Sequence, residues 1–90
     1  MLEVKYSTKF KKDLKTCQKR HCNMALLQQV INVLAAPAVL PPKNKDHCLT
    51  GSYVPHRECH IQPDWLLIYY QTDTDLYLYR TGTYADLFGL

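Results

Sequence analysis

Ninety residues, 47% hydrophobic and 21% charged, make one small globular domain spanning 1–90 and exclude a disordered chain. No apolar run nears the roughly 18 residues of a bilayer span, and the N-terminal lysines have no apolar stretch behind them; no signal peptide and no membrane partner is expected, and the expected location is cytoplasmic. The net charge of +3 is segregated, with nine Lys/Arg against two acids in residues 1–45 and two against six in residues 46–90. That asymmetry fits a polyanionic or acidic partner, and equally a helix with a solvated lysine face.

In chain order, Leu2–Tyr6 alternates apolar and polar residues, the pattern of a half-buried strand. Ser7 or Thr8 can cap the helix that follows, where Phe10, Leu14 and Cys17 form a narrow apolar stripe and lysines cover the rest. His21 and Cys22 fall in a turn. Asn23 caps a second helix whose Leu26, Leu27, Val30, Ile31 and Leu34 repeat at helical spacing until Pro37 stops it. A short connection and matching stripes predict an antiparallel helical hairpin. Between Ala36 and His47, three prolines predict a partly extended loop.

Most of the aromatic residues lie beyond that loop, and strands are predicted near Cys48–Tyr53, His56–Ile61, Trp65–Gln71 and Leu76–Thr81. Trp65–Gln71 is apolar on both faces and is expected to be central, covered by the helices. The fold class is α+β: β-α-α-β-β-β(-β), with a helical hairpin packed on one face of a mostly antiparallel sheet.

Four cysteines lack the paired spacing of a zinc site and the secretion signal of a disulfide framework, so reduced and mostly buried thiols are expected, with no metal and no cofactor. His56, Glu58 and His60 occupy alternate positions of one strand and share a face, while Arg57, Cys59 and Ile61 share the other. Histidine, with an unperturbed pKa of about 6.5, both takes and gives protons at neutral pH. Two imidazoles beside a basic segment are what RNA cleavage without metal needs: a base for the ribose 2′-hydroxyl, an acid for the departing 5′-oxygen and a cation for the phosphorus. Surface histidines that do no chemistry would read the same way.

Lys45–Ser52, Arg57–Trp65, Leu67–Tyr69 and Arg80–Gly89 follow one another at spacings that resemble the successive motifs of the YafQ branch of the RelE/ParE toxin superfamily. The resemblance covers essentially the whole chain. It implies a RelE-like fold and a toxin of a type II toxin–antitoxin pair, a ribosome-dependent endoribonuclease that cuts mRNA. It also implies partners: a cognate antitoxin, the ribosome with its mRNA, and operator DNA through the antitoxin complex.

Position by position, it places His47, His60, Asp64 and Phe88 in the active site with Trp65 in support, and Asp64 would orient a histidine. Where YafQ-like toxins carry a further histidine, this chain has Tyr84. An unperturbed phenol pKa of about 10 makes tyrosine a poor base but a competent donor. Either it is the working residue, as in RelE-type members, or it disarms the toxin. Lys9, Lys11, Lys12, Lys15, Lys19, Arg20, Lys43, Lys45, Arg57 and Arg80 are expected to meet phosphates of mRNA and ribosomal RNA. A non-catalytic antitoxin- and operator-binding protein, or a ParE-like topoisomerase inhibitor, is the alternative.

Overall fold

The computed structural model describes residues 1–51 and 55–89. Strand β1 (Glu3–Tyr6) leads into α1 (Thr8–Lys19), a short turn, α2 (Met24–Ala35), a single 3₁₀ turn at Pro42–Asn44, strands β2 (His47–Cys48), β3 (Arg57–Gln62), β4 (Trp65–Gln71) and β5 (Asp75–Gly82), and a last helix α3 (Tyr84–Phe88). The strands form one sheet in the order β1-β5-β4-β3-β2. Every pairing is antiparallel except β1 with β5. No helix among the described residues is long and apolar enough to cross a membrane.

Of the two candidate caps, Ser7 is the one used: its Oγ accepts the Phe10 N–H at 2.9 Å and donates to the Tyr79 carbonyl. One hydroxyl thus starts α1 and ties it to β5. Since β1 pairs with β5 only as far as Leu78, α1 takes over the next stretch of that strand. There Asp13 accepts the Thr81 N–H at 3.1 Å and both Nε and Nη2 of Arg80 at 2.8 and 2.9 Å.

At its far end α1 closes on His21, which adopts a left-handed conformation (φ 59°). The His21 N–H reaches the Gln18 carbonyl and the Cys22 N–H the Cys17 carbonyl, the paired bonds of a Schellman cap. Asn23 then caps α2 through Ala25 N–H.

The hairpin buries Phe10, Cys17, Leu27, Ile31 and Leu34 against Cys59, Trp65, Leu67, Tyr69, Leu76 and Leu78. At about 1.5–3 kcal/mol per fully buried large apolar side chain, this layer supplies most of the drive to fold. Strand β4 is central and buried on both faces, as its composition predicts, but the hairpin covers only one of them. Leu66 and Ile68 on the other face pack under Leu87 of α3.

Helix α3 is absent from the predicted elements, although Thr83-x-x-Asp86 is a capping box in which each side chain satisfies the other's backbone N–H. The predicted strand Cys48–Tyr53 is also corrected. Among the described residues strand β2 spans His47–Cys48; Leu49 still donates its N–H to the His56 carbonyl at 2.9 Å, but Leu49 and Thr50 lie outside any strand, and Tyr53 is outside the described residues. All four cysteines are free; Cys17 and Cys59 are buried, Cys22 is half-buried, and Cys48 is exposed, against expectation. Burial pushes the Cys17 thiol up to about 11 and the Cys59 thiol to about 12, so neither is a nucleophile at neutral pH.

Candidate active site

Sheet register brings the histidines together. His47 in β2 lies directly opposite Glu58 in β3, and opposed residues project to the same face; His60 joins them two positions on. Glu58 is 3% exposed. Its Oε1 stands 3.7 Å from His47 Nε2 and 3.6 Å from His60 Nε2, so one buried carboxylate oxygen sits between two imidazoles.

The opposite nitrogen of each ring is held by the backbone. His47 Nδ1 is 2.7 Å from the Lys45 carbonyl and His60 Nδ1 is 3.3 Å from the Pro63 carbonyl. A carbonyl only accepts, so Nδ1 carries a proton in both rings and Nε2 is the atom left to exchange one. Local chain geometry sets these anchors. Lys45 is left-handed (φ 47°), ending the 3₁₀ turn, and the buried Asn44 donates its Nδ2–H to the His60 carbonyl at 2.7 Å. The proline-rich loop is thereby pinned to the strand that carries His60.

Tyr84 enters from the other end of the chain. Its hydroxyl is 3.5 Å from His60 Nε2, at the outer limit of a hydrogen bond, and the two rings are tilted with centroids 6.0 Å apart. Phe88, one turn further along α3, places its ring 6.1 Å from that of Tyr84. Asp64 does not face a histidine as expected; its Oδ1 accepts the Tyr84 backbone N–H at 3.3 Å and so locates the start of α3. The Pro63 carbonyl orients His60 instead. Trp65 is buried beneath, donating to Thr81 Oγ1 at 2.9 Å, which in turn donates to the Leu66 carbonyl.

His47, His60, Asp64, Tyr84 and Phe88 therefore gather on one side of the sheet. Glu58 joins them, a residue the sequence places on the right face without marking its role. The signal was available: a carboxylate flanked at alternate positions by histidines.

The predicted phosphate-binding residues divide into three groups. Lys43 and Lys45 are exposed and line, with His60 and Pro63, a hollow of about 330 Å³. Lys9, Lys11, Lys12, Lys15 and Lys19 are exposed along α1, away from that hollow. The arginines are each engaged by a carboxylate. Arg20 holds Asp86 at 2.6 and 3.1 Å and lowers its carboxyl pKa to about 2; Arg80 holds Asp13; Arg57 holds Asp46 at 3.2 Å and donates to Cys48 Sγ. Asp46 also accepts the Tyr69 hydroxyl at 2.6 Å, and burial together with that carboxylate keeps the phenol neutral well above its ordinary range. No group of three or more His, Cys, Asp or Glu among the described residues is arranged to hold a metal ion.

Residues 2–89 match the family model described as bacterial toxin of type II toxin–antitoxin system, YafQ. The mRNA interferase toxin YafQ of Escherichia coli K12 is 44% identical over 88 residues, which cover 97% of this chain and 96% of that protein. The fold is also similar to YafQ in the crystal structure of the E. coli DinJ–YafQ toxin–antitoxin complex, with a TM-score of 0.90, 44% identity and 98% of each chain covered. YafQ from E. coli BL21(DE3) superimposes with a TM-score of 0.93 at 43% identity, covering 99% of this chain and all of the other.

Proposed function

This chain belongs to the YafQ family of bacterial toxins of type II toxin–antitoxin systems, and from that premise we propose a ribosome-dependent endoribonuclease that cleaves mRNA by acid–base chemistry. One observation carries the reading: Glu58 lies between the Nε2 atoms of two imidazoles whose Nδ1 atoms are anchored to the backbone, with the Tyr84 hydroxyl beside one of them.

His60 Nε2 takes the proton of a ribose 2′-hydroxyl, and the 2′-oxygen attacks the adjacent phosphorus in line. His47, entering the reaction protonated, gives its proton to the departing 5′-oxygen. The products are a 2′,3′-cyclic phosphate and a 5′-hydroxyl. A single carboxylate between the rings neutralises one imidazolium and leaves a second uncompensated, so the pair works with one ring charged and one neutral. One ring gains a proton from the 2′-hydroxyl as the other gives one to the 5′-oxygen, so the charge beside Glu58 is the same before and after cleavage and the buried carboxylate stays compensated.

Tyr84 donates its hydroxyl proton toward the phosphoryl oxygens, and Phe88 offers an aromatic wall to a base. Lys43 and Lys45 stabilise charge on phosphorus, while the lysines of α1 meet ribosomal RNA. The side chains account for every proton transfer, and no step is routed through a metal. Regulation falls to a cognate antitoxin, in line with the DinJ partner of the E. coli relative, and operator DNA is reached through that complex.

The test is primer extension on an mRNA incubated with the purified protein, with and without translating ribosomes. Cleavage confined to the translated message, and lost in His60→Ala, is the expected result. Intact mRNA under both conditions would overturn the reading in favour of a toxin-derived binding protein.

A further inference from the structure

Four rings line the same face of the sheet beyond the histidine cluster, and nothing in the proposed cleavage uses them. Tyr70 and Tyr77 are opposed across β4 and β5 and stack at 4.6 Å with 11° between planes. His56 meets Tyr70 edge-on at 5.1 Å and lies 4.6 Å from Tyr79. All four are half-buried, and they border a hollow of about 370 Å³.

The rim is cationic. Lys5, opposite Tyr77 in the β1–β5 register, shares its face, and Lys9 Nζ stands 5.7 Å over the Tyr79 ring. That position follows from the double use of Ser7, which ties the first turn of α1 to the Tyr79 carbonyl. Lys5 is partly neutralised by Glu3 at 3.3 Å, while Lys9 makes no ion pair among the described residues. Cross-strand aromatic pairs do stabilise sheets. Stability alone requires neither a hollow on the open side of the rings nor a lysine held over one of them.

We propose that these rings are a stacking platform for bases of single-stranded RNA flanking the cleaved bond, a reading that rests on the ribonuclease site and extends its substrate to several nucleotides. Aromatic planes beside phosphate-seeking cations are the elements with which proteins hold single strands without reading sequence. Continuity supports the assignment. His56 precedes His60 by four residues of nearly extended chain, roughly 13 Å, so one strand of RNA leaving the histidines along β3 reaches the rings. The positive rim and the row of α1 lysines beyond it favour a polyanion over an acidic protein segment, because stacking on flat rings needs bases as well as charge.

The experiment measures equilibrium binding of uncleavable 2′-O-methyl RNA, using a short oligomer confined to the His60 hollow and a long one reaching the rings. Tyr70→Leu and Tyr77→Leu keep apolar bulk and remove the stacking plane. Each should weaken the long oligomer by about five- to a hundredfold and leave the short one unchanged. Lys9→Gln, a change at an exposed side chain, should reduce the salt dependence of the long oligomer by about one unit of slope, which keeps the test valid where a tyrosine variant fails to fold. Equal affinity of folded variants and wild type for the long oligomer overturns the platform. So does weaker binding of the cognate antitoxin with RNA affinity intact, which would make the rings a protein interface. Wild type that binds through the rings yet leaves translated mRNA uncut would sink the acid–base reading and keep the platform.

Discussion

Tyr84 Oη lies 3.5 Å from His60 Nε2, although 24 residues separate the two in sequence. The contact depends on α3, whose first residue is held by the Asp64 carboxylate and whose capping box is completed by Asp86. Asp64 thus fixes the start of α3 and with it the place of Tyr84.

An imidazole has an unperturbed pKa of about 6.5 against about 10 for a phenol, so histidine is the side chain far better matched to proton transfer at neutral pH. Tyr84→His is therefore expected to raise cleavage of translated mRNA at least tenfold, while His60→Ala lowers it by about 10²–10⁴-fold. Thermal midpoints measured alongside should stay close to wild type. A fully active wild type unaffected by Tyr84→His would show tyrosine to be the working residue.

Glu58→Gln preserves shape and removes the charge shared by the two imidazoles. The imidazolium formed at either ring then has no counter-charge beside it. The cleavage rate should fall by about 10–100-fold, with the affinity for uncleavable RNA little changed. An equal loss of affinity and rate would assign Glu58 to substrate binding.

Reversing Lys11, Lys12 and Lys15 to glutamate tests the α1 face. Ribosome binding should weaken and the slope of log affinity against log salt should decrease by about three units, near one for each phosphate contact removed. Exposed charges contribute under about 1 kcal/mol each, so the melting temperature should barely move. Unchanged binding would return these lysines to a merely solvated helix face.

The pin on α3 predicts a pH signature. Asp86 titrates at about 2 in the folded protein against an ordinary 3.8, because Arg20 and the Thr83 N–H and hydroxyl favour its charged form. A depressed folded pKa contributes stability above pH 4 that is lost as pH falls through 2. In acid-unfolding curves, wild type should exceed Asp86→Asn at neutral pH and converge with it between about pH 4 and pH 2. Persistence of the full gap at pH 2 would exclude the ion pair as its source.

Gly82 carries the same argument into the backbone. It sits at φ 154°, and a Cβ there would meet Asp86 Oδ2 at 2.9 Å. Gly82→Ala should cost about 1–3 kcal/mol in chemical denaturation and lower cleavage further by displacing Tyr84.

Periodicity in the chain determined the two helices, the three long strands, the central place of β4 and the shared face of Glu58 and His60, because side-chain direction along a helix or strand follows from spacing alone. The motifs carried the candidate residues His47, His60, Asp64, Tyr84 and Phe88, and the tertiary structure brings all five to one side of the sheet. What remained illegible was set by contacts distant in sequence. A two-residue β2 lies below the length at which alternation can be read, yet its register puts His47 opposite Glu58. Five-residue α3 is too short for a periodic signal and is held instead by Asp64 and Arg20, which lie 20 and 66 residues away from the groups they bind. The bond between Asp64 and the Tyr84 backbone, the carboxylate partners of Arg20, Arg57 and Arg80, and the stack of Tyr70 on Tyr77 were decided only by the folded chain, since pairing across a sheet depends on which strands become neighbours and no local pattern encodes that choice.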